Sequence, residues 1–351
     1  MVPYERHPLL RNAHLMTMVA AYWPRRLSRL PPPTERLFEV EPGTRILGKC
    51  HWQAEPRRHP TLVLVHGLEG SSESRYMLGI AELAFAAGFN AVRLNQRNCG
   101  GTEHLTPTLY NSGLSGDYRA VLLELVERDA LPELFFAGYS MGGNLVLKMA
   151  GELSAGAPPQ LRAVCAVCPG LDLAPCADAT ALPQNFLYEW HFLRNMRQRL
   201  RRKARLFPGR YRADGLGRLS TLRQWDDAIT APHSGYRDAA DYYDRASALR
   251  VVAGIRIPTL MLTAQDDPLV PFASFRHPDI AANPHITLVA RSHGGHCGFI
   301  SRAENDERFW AEARVVEFCW QHSEIERSRP STVDSRKVEE SKSRKVEGLK
   351  R

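Results

Sequence analysis

The stretch Leu134–Lys148, LFFAGYSMGGNLVLK, decides the fold of this chain. It opens with a short apolar run that is typical of a buried parallel strand, and a helical pattern begins at Asn144 with no room for a loop between them. The chain must therefore turn very sharply at this point. Ser140 stands at the turn, and glycine permits the close backbone approach that such a turn needs. Three glycines surround the serine: Gly138, Gly142 and Gly143.

A serine between glycines on a strand-to-helix turn has the pattern of the Gly-x-Ser-x-Gly nucleophile elbow. We expect the turn to push the Ser140 hydroxyl out at the top of the sheet. The backbone N–H of Met141 would then lie at the helix N-terminus, where it can help to hold an oxyanion. Because the bare pentapeptide also occurs by chance, its meaning depends on the rest of the chain.

The rest of the chain alternates strands and helices, which predicts a mostly parallel sheet flanked by helices. A hairpin around Pro42-Gly43 precedes a strand that is buried on both faces and ends in His66-Gly67. In a fold with this elbow the second oxyanion N–H comes from the loop after that strand, and Leu68 is the position for it. Further strands are predicted at 89–95, 161–168, 259–264 and 286–291, and helices at 76–87 and 117–127.

The chain is predicted to have four parts. Residues 1–35 are Pro-rich and are expected to form an irregular segment, and residues 36–171 and 251–323 to form the α/β core. Residues 172–250 break the alternation with a helical and polar stretch, which we interpret as a helical cap inserted into the core. Residues 324–351 are charged, low in aromatic residues and contain SRKVE twice, so they are expected to be a disordered tail.

The composition is that of an ordinary globular protein, with 351 residues, 44% hydrophobic and 24% charged. No stretch approaches the roughly 18 consecutive apolar residues of a membrane span. Seven scattered cysteines, an odd number, favour a reduced, cytoplasmic location. Cys165 and Cys168 have the spacing of a redox or zinc pair, but they lie inside a strand pattern without further ligands nearby, so we interpret them as core residues.

The net charge of +8 is concentrated in the predicted cap, where residues 186–213 hold nine Arg or Lys and one Glu. Apolar residues recur there at helical spacing beside a face of arginines. One interpretation is a solvated face neutralised by carboxylates such as Asp226, Asp227 or Asp238. The other is contact with an anionic membrane or an anionic substrate. No recognition motif accompanies the basic helix, so no nucleic-acid partner is expected.

A serine hydroxyl becomes a good nucleophile only when a base takes its proton, and a histidine base needs a carboxylate to fix its tautomer. In folds with this elbow the chain order is serine, then acid, then histidine. The segment QDDPLVP follows the strand at 259–264, and SHGGHCGF follows the strand at 286–291. Strand ends are where α/β sheets place their chemistry. The acid is therefore Asp266 or Asp267, and the base is His293 or His296.

Several motifs together resemble the YheT-like branch of the α/β-hydrolase superfamily: HGLEGSSES, LNQRNCGG, GYSMGGN, DDPLVP, GGHCGF and WDDAITAPHSGY. The resemblance implies an α/β-hydrolase fold and a serine hydrolase acting on carboxylic esters. It also implies Ser140 as nucleophile, Asp267 as acid and His296 as base. The N-terminal RNAHLMT resembles a segment of that branch but has Met16 where glutamine is usual. His14, His66 and His233 also lie in family-like motifs and are interpreted as structural.

The expected function is therefore that of a carboxylesterase or lipase-like enzyme. It would act on a small-molecule or lipid ester through an acyl-enzyme, and it would require neither a metal nor an organic cofactor. Two alternatives remain open. The same three residues could transfer the acyl group to an alcohol or thiol, or the chain could be a non-catalytic binding protein on a hydrolase fold.

Overall fold

The central sheet is the framework of the molecule, whose computed structural model describes residues 2–25, 27–303 and 305–325. Within these residues eight strands lie in the order β1-β2-β4-β3-β5-β6-β7-β8. β1 and β2 form the predicted antiparallel hairpin, β2 pairs antiparallel with β4, and the strands from β3 to β8 run parallel. Their bounds are β1 (Thr34–Glu41), β2 (Thr44–His51), β3 (Thr61–Val65), β4 (Asn90–Leu94), β5 (Leu134–Tyr139), β6 (Leu161–Val167), β7 (Thr259–Ala264) and β8 (Ile286–Arg291).

Helices cover both faces of this sheet, so the predicted fold class is confirmed. The helix bounds are α1 (Ala13–Tyr22), α2 (Arg75–Ala86), α3 (Ser115–Glu127), α4 (Met141–Leu153), α5 (Leu173–Thr180), α6 (Phe186–Leu206), α7 (Leu222–Trp225), α8 (Ala231–His233), α9 (Ala239–Ala246), α10 (Pro278–Ala282) and α11 (Trp310–Gln321). A π-helical turn, Asp226–Thr230, joins α7 to α8. Among the described helices, none combines the length and the apolar composition of a membrane-spanning segment.

The two sides of β3 and β5 pack into different cores, as the alternation of side chains along a strand requires. Val63 and Phe136 face α3 and α4, whereas Leu62 and Phe135 face α2 and α11. All five residues of β3 are buried. The continuous apolar run that predicted a doubly covered strand therefore has its expected environment.

The N-terminal segment differs from its prediction, because residues 13–22 form the helix α1 rather than an irregular chain. The Asn12 side chain caps the helix by accepting a hydrogen bond from the Leu15 N–H at 3.0 Å. Met16 and Ala20 are buried together with Ile300, a residue far along the chain. The prediction was wrong because this helix is stabilised by tertiary packing that local periodicity does not reveal.

The segment between β6 and β7 is helical and contains α5 to α9. Its own apolar residues form two small clusters, one around Leu193, Leu200 and Trp225 and another around Tyr242 and Tyr243. That this segment acts as a cap distinct from the core stays a prediction. The predicted disordered tail lies outside the described residues from position 326 onward.

Candidate active site

Ser140 lies on the turn between β5 and α4, with a φ of +55° and a ψ of −119°. A residue with a side chain rarely adopts this conformation, and it persists only where the surroundings enforce it. The neighbouring glycines explain how the chain closes so tightly. A Cβ on Gly138 would collide with the carbonyl of Gly142, and a Cβ on Gly142 would collide with the carbonyl of Val65. The local sequence thus forces the Ser140 hydroxyl outward from the end of the sheet.

Three side chains from three separate strand ends meet here. The Ser140 Oγ lies 2.9 Å from His296 Nε2, and His296 Nδ1 lies 2.9 Å from Asp267 Oδ2 and 3.1 Å from Asp267 Oδ1. The Asp267 side chain is fully buried, and its Oδ1 also accepts hydrogen bonds from two backbone N–H groups, those of Leu269 and Val270. A carboxylate held this way keeps the proton of the imidazole on Nδ1, which leaves Nε2 free to accept from the serine hydroxyl.

The two competing residues form a separate pair. Asp266 Oδ2 lies 3.2 Å from His293 Nδ1, and Asp266 Oδ1 accepts a hydrogen bond from the Gly295 N–H at 2.9 Å. The His293 side chain is 49% exposed, whereas that of His296 is 13% exposed. Asp266 thus contacts the loop that carries His296 rather than the imidazole of His296.

The electrostatics of His296 follow from its burial and its partner. Burial lowers the pKa of the imidazole, but the adjacent Asp267 carboxylate raises it, and the net shift places the pKa well above its ordinary value. The imidazolium form that arises when His296 takes a proton is therefore stabilised by Asp267. This is the behaviour required of a general base that later returns its proton.

The two predicted oxyanion donors belong to two backbone segments that lie next to Ser140. Met141 is the first residue of α4, and Leu68 lies in the turn Gly67–Gly70, where the Gly70 N–H donates to the Gly67 carbonyl at 3.1 Å. A Cβ on Gly67 would lie 3.1 Å from the Ser140 Cβ, so this turn approaches the serine closely. Among the described residues, no protein acceptor is found for the N–H of Leu68 or of Met141. Both groups are therefore available to an incoming oxygen.

The buried histidine before this turn has structural contacts. His66 Nε2 accepts a hydrogen bond from the Gln96 N–H at 3.1 Å, and burial lowers the pKa of His66 to about 4, so its ring is neutral at physiological pH. Gln96 of the LNQRNCGG motif thus fixes the ring of His66, the residue directly before the turn. The other two histidines that were interpreted as structural, His14 and His233, pack against the aromatic rings of Tyr188 and Tyr211, respectively.

One contact to the site was missed by the sequence analysis. The backbone N–H of His296 donates to Thr17 Oγ1 at 2.8 Å, and the Thr17 hydroxyl donates in turn to the Ala13 carbonyl at 2.8 Å. Gly295, with a φ of +58°, passes so close to α1 that a Cβ there would clash with Ala13 and Thr17. The RNAHLMT stretch was the sequence signal that could have indicated this contact. Its last residue is Thr17, which contacts the loop that carries His296.

A mainly apolar cavity extends from Ser140 and His296 under the α5–α9 segment and opens partly to solvent; the space not filled by protein atoms, counting the solvent at its mouth, is about 1050 Å³. Its apolar walls come from the turn after β3 and from helices α5, α6 and α7. Polar groups are few, and Asp226 and Arg199 are the charged residues that line it besides His296. Burial raises the pKa of Asp226 to about 6, and its Oδ2 accepts a hydrogen bond from the Tyr243 hydroxyl at 2.8 Å.

A group with metal-ligand character lies beside the histidine. Within the described residues, ligand atoms of Cys168, His296 and Cys297 lie within 4.8 Å of one another. Both ring nitrogens of His296 already have partners, so a metal ion at this position would have to displace Ser140 or Asp267. The arrangement therefore fits the hydrogen-bonded site better than it fits a metal centre.

The carboxylates that pair with the basic helix α6 differ from those suggested above. Arg199 pairs with Glu69 and Arg202 with Glu103, while Arg197 and Lys203 donate to backbone carbonyls. The three suggested carboxylates have other partners: Asp226 accepts from Tyr243, Asp227 from the Ala239 N–H, and Asp238 from the Asp241 N–H. Naming those aspartates was wrong because the loops of the core, rather than the cap itself, supply the carboxylates.

The fold and this serine, histidine and aspartate constellation define an α/β hydrolase. Residues 60–303 match the family model described as the alpha/beta hydrolase fold, so the chain belongs to that family. The putative esterase YheT of Escherichia coli is 29% identical over 88% of this chain and 90% of that protein. The resemblance to the YheT-like branch is thereby confirmed.

Two further similarities agree with this assignment. Mouse phospholipase ABHD3 is 29% identical over 69% of this chain and 58% of that protein. Among solved structures, the Pyrococcus furiosus esterase Pf2001 is similar with a TM-score of 0.56 and 16% identity, covering 85% of this chain and 98% of that one. At this identity the structural likeness concerns the fold alone.

Proposed function

We propose that this protein is a serine hydrolase that cleaves carboxylic esters through Ser140, His296 and Asp267. The hydrogen-bond chain from Ser140 Oγ through the imidazole to the buried carboxylate is the observation that carries the proposal. It opens onto an apolar cavity suited to an acyl chain. The names of the relatives, an esterase and a phospholipase, support ester hydrolysis as the reaction class.

In the first step Ser140 Oγ attacks the ester carbonyl carbon while His296 Nε2 takes the hydroxyl proton. The carbonyl electron pair moves to oxygen, and the N–H groups of Leu68 and Met141 stabilise the resulting oxyanion. Each such donor typically contributes about 3 kcal/mol to lowering the barrier. The tetrahedral intermediate collapses, the alcohol leaves with the proton from His296, and the acyl group remains as an ester on Ser140.

In the second step a water molecule gives its proton to His296 and attacks the acyl carbon. The oxyanion forms again between Leu68 and Met141, and its collapse breaks the bond to Ser140 Oγ. The serine recovers its proton from His296, and the carboxylic acid is released. No oxidant, reductant or further co-reactant enters this balance.

The test is hydrolysis of a p-nitrophenyl ester series from acetate to palmitate by the purified protein, together with a fluorophosphonate probe. We expect ester cleavage with a preference set by acyl length, and mass spectrometry should locate the probe on Ser140. Absence of both turnover and labelling would reject the enzyme and leave a hydrolase-fold binding protein. Product analysis in the presence of alcohols and thiols distinguishes hydrolysis from acyl transfer, which uses the same residues.

A further inference from the structure

The oxyanion turn is tied to the helix that covers the cavity. Glu69 follows Leu68 in this turn and has a φ of +59°, a conformation that side-chain-bearing residues rarely adopt. The Glu69 side chain does not point to solvent, since it is only 1% exposed. A strained residue with a buried carboxylate beside a proposed oxyanion donor must be held by its partners.

The principal partner is Arg199 of α6. Its Nη1 donates to Glu69 Oε1 at 2.8 Å and its Nη2 donates to Glu69 Oε2 at 2.5 Å, so the two groups meet in a two-pronged pair. The Tyr110 hydroxyl donates to Glu69 Oε1 at 2.5 Å, and the guanidinium lies over the Tyr110 ring at 4.6 Å. Two parallel hydrogen bonds fix the orientation of the carboxylate as well as its position.

Arg199 itself is buried, and it lines the cavity that holds Ser140. Burial alone lowers the pKa of this guanidinium, but the nearby Cys99, Tyr110 and Glu69 raise it well above its usual value, so Arg199 carries its positive charge. A buried ion pair contributes little net stability compared with apolar packing. The role of the Arg199–Glu69 pair is therefore better explained by the geometry that it imposes on the turn than by a contribution to stability.

We infer that the Arg199–Glu69 pair positions the oxyanion turn, so that α6 aims the Leu68 N–H at the place where the oxyanion forms. Both residues are positioning residues, because they act through the backbone of the turn. The inference rests on the proposed function and adds to it that the proposed cap is part of the catalytic apparatus. The Gly67 N–H, held by the Tyr76 hydroxyl at 2.9 Å, anchors the other end of the turn.

The experiment compares Arg199→Met, the double variant Glu69→Gln/Arg199→Met, and Arg202→Met as the matched control. Arg202 also joins α6 to the core, through Glu103 at 2.6 Å, but among the described residues it forms no hydrogen bond or ion pair with the oxyanion turn. The double variant leaves no unpaired buried charge, so it separates lost positioning from damage by an orphaned carboxylate. Thermal unfolding of each variant identifies any that fail to fold, and Arg199→Lys serves as a milder variant in that event.

We expect kcat for p-nitrophenyl butyrate to fall by roughly 10- to 100-fold in both the single and the double variant, below the effect of deleting a donor outright. KM should change less than about threefold. A trifluoromethyl ketone is attacked by Ser140 Oγ and forms a hemiketal with a negatively charged oxygen. Its affinity should fall by about the same factor as kcat. Amide hydrogen exchange of residues 66–71 should become faster in both variants and stay unchanged in Arg202→Met.

Recovery of kcat in the double variant, or equal losses in Arg202→Met, would overturn the inference, because the pair would then only balance charge or anchor the helix. Unchanged exchange in residues 66–71 would do the same. A wild-type protein without turnover or Ser140 labelling would instead reject the proposed function. The exchange comparison still judges the positioning claim in that case, since it does not depend on activity.

Discussion

At the scale of single residues, the site depends on a backbone conformation that the chain adopts at a cost. A residue in the region occupied by Ser140 costs on the order of 1–3 kcal/mol, which the packing of the elbow must supply. Because the Ser140 side chain points away from the core, the hydroxyl itself contributes little to the fold. Chemistry and stability can therefore be separated at this position by mutation.

The first prediction concerns the nucleophile. Ser140→Ala should lower kcat by roughly 10⁶, because members of such a triad act as a unit and only the oxyanion hole and binding remain. The melting temperature should change little. The measurement is hydrolysis of p-nitrophenyl butyrate alongside thermal unfolding. A folded variant that keeps more than a few per cent of the activity would remove Ser140 from the mechanism.

The second prediction separates the two adjacent aspartates. Asp267→Asn should reduce kcat by about 10⁴, since an amide at this position favours the wrong imidazole tautomer. Asp266→Asn should have a small effect, because Asp266 contacts His293 and the Gly295 N–H rather than His296. Parallel kcat measurements on both variants test this. Reversed effects would show that the acid was assigned one residue too late.

The third prediction is a pH profile. Activity requires the neutral form of His296, which predominates above its pKa, and Asp267 and Cys297 together raise that pKa against the lowering effect of burial. The rise of kcat/KM with pH should therefore occur above about 6.5, the ordinary histidine value. In Asp267→Asn the increase of the residual activity with pH should begin at a lower pH than in the wild type, because the carboxylate that raises the pKa of His296 is gone. The electrostatic argument would be refuted if kcat/KM of the wild type rose with pH below 6.5, or if the pH of this rise were the same in Asp267→Asn.

At the scale of elements, α1 supports the loop that carries His296. The Thr17 hydroxyl is the acceptor for the backbone N–H of His296, and the loop passes close to α1 at Gly295. His14 on the same helix stacks on Tyr188 of α6 at 5.8 Å. The N-terminal helix thus contacts both the histidine loop and the helix above the cavity.

The fourth prediction tests this support. Thr17→Val keeps the shape of the side chain but leaves the His296 N–H without its acceptor, a loss of about 1–3 kcal/mol. We expect kcat to fall by roughly 2- to 13-fold if half of this loss appears in the transition state. Thr17→Ser, which retains the hydroxyl, is the control and should keep most of the activity. Equal activity of the valine and serine variants would show that the contact is incidental.

The strands could be predicted from the sequence because their signals are local. Apolar runs bounded by turn residues mark β3 and β5 to β8, and the elbow motif places Ser140 between a strand and a helix. The helix α1 and the Arg199–Glu69 pair could not be predicted in this way. Each joins residues more than a hundred positions apart, and no local pattern records which distant side chains will meet.

The candidate site shows the same division. The chain order and the positions of the strand ends reduced the candidates for the acid and the base to two aspartates and two histidines. The resemblance to a family then selected one of each. The structure brings Asp267 and His296 to Ser140 and pairs Asp266 with His293. Adjacent residues on a tight turn point in different directions, so the local sequence pattern by itself does not distinguish Asp266 from Asp267. Their catalytic roles remain predictions until the variants above are measured.

At the scale of the whole molecule, the outer face of α6 combines exposed apolar and basic side chains. Phe186, Leu187 and Trp190 at the start of the helix are 62%, 67% and 49% exposed. Further along the same face the exposed cations are Arg194, Arg201 and Arg205. The inner face of this helix lines the cavity at Phe192 and Met196, so a surface that docks here would lie next to the acyl site. Such a mixture of apolar and cationic residues fits an anionic lipid surface.

The last prediction is binding to phosphatidylglycerol-containing vesicles through this face. Each basic residue near such a surface contributes about 1 kcal/mol, so replacing Arg194, Arg201 and Arg205 by Gln should weaken binding roughly 100-fold. The control is the triple replacement of Arg57, Arg58 and Arg128 by Gln, which removes the same charge near the start of β3, at the opposite end of the parallel strands from Ser140. Vesicle flotation should show binding that weakens steeply as salt rises past 0.1 M, where screening acts over about 10 Å. Equal binding to neutral and anionic vesicles, or equal losses in both triple variants, would leave α6 with a solvated basic face and no membrane role.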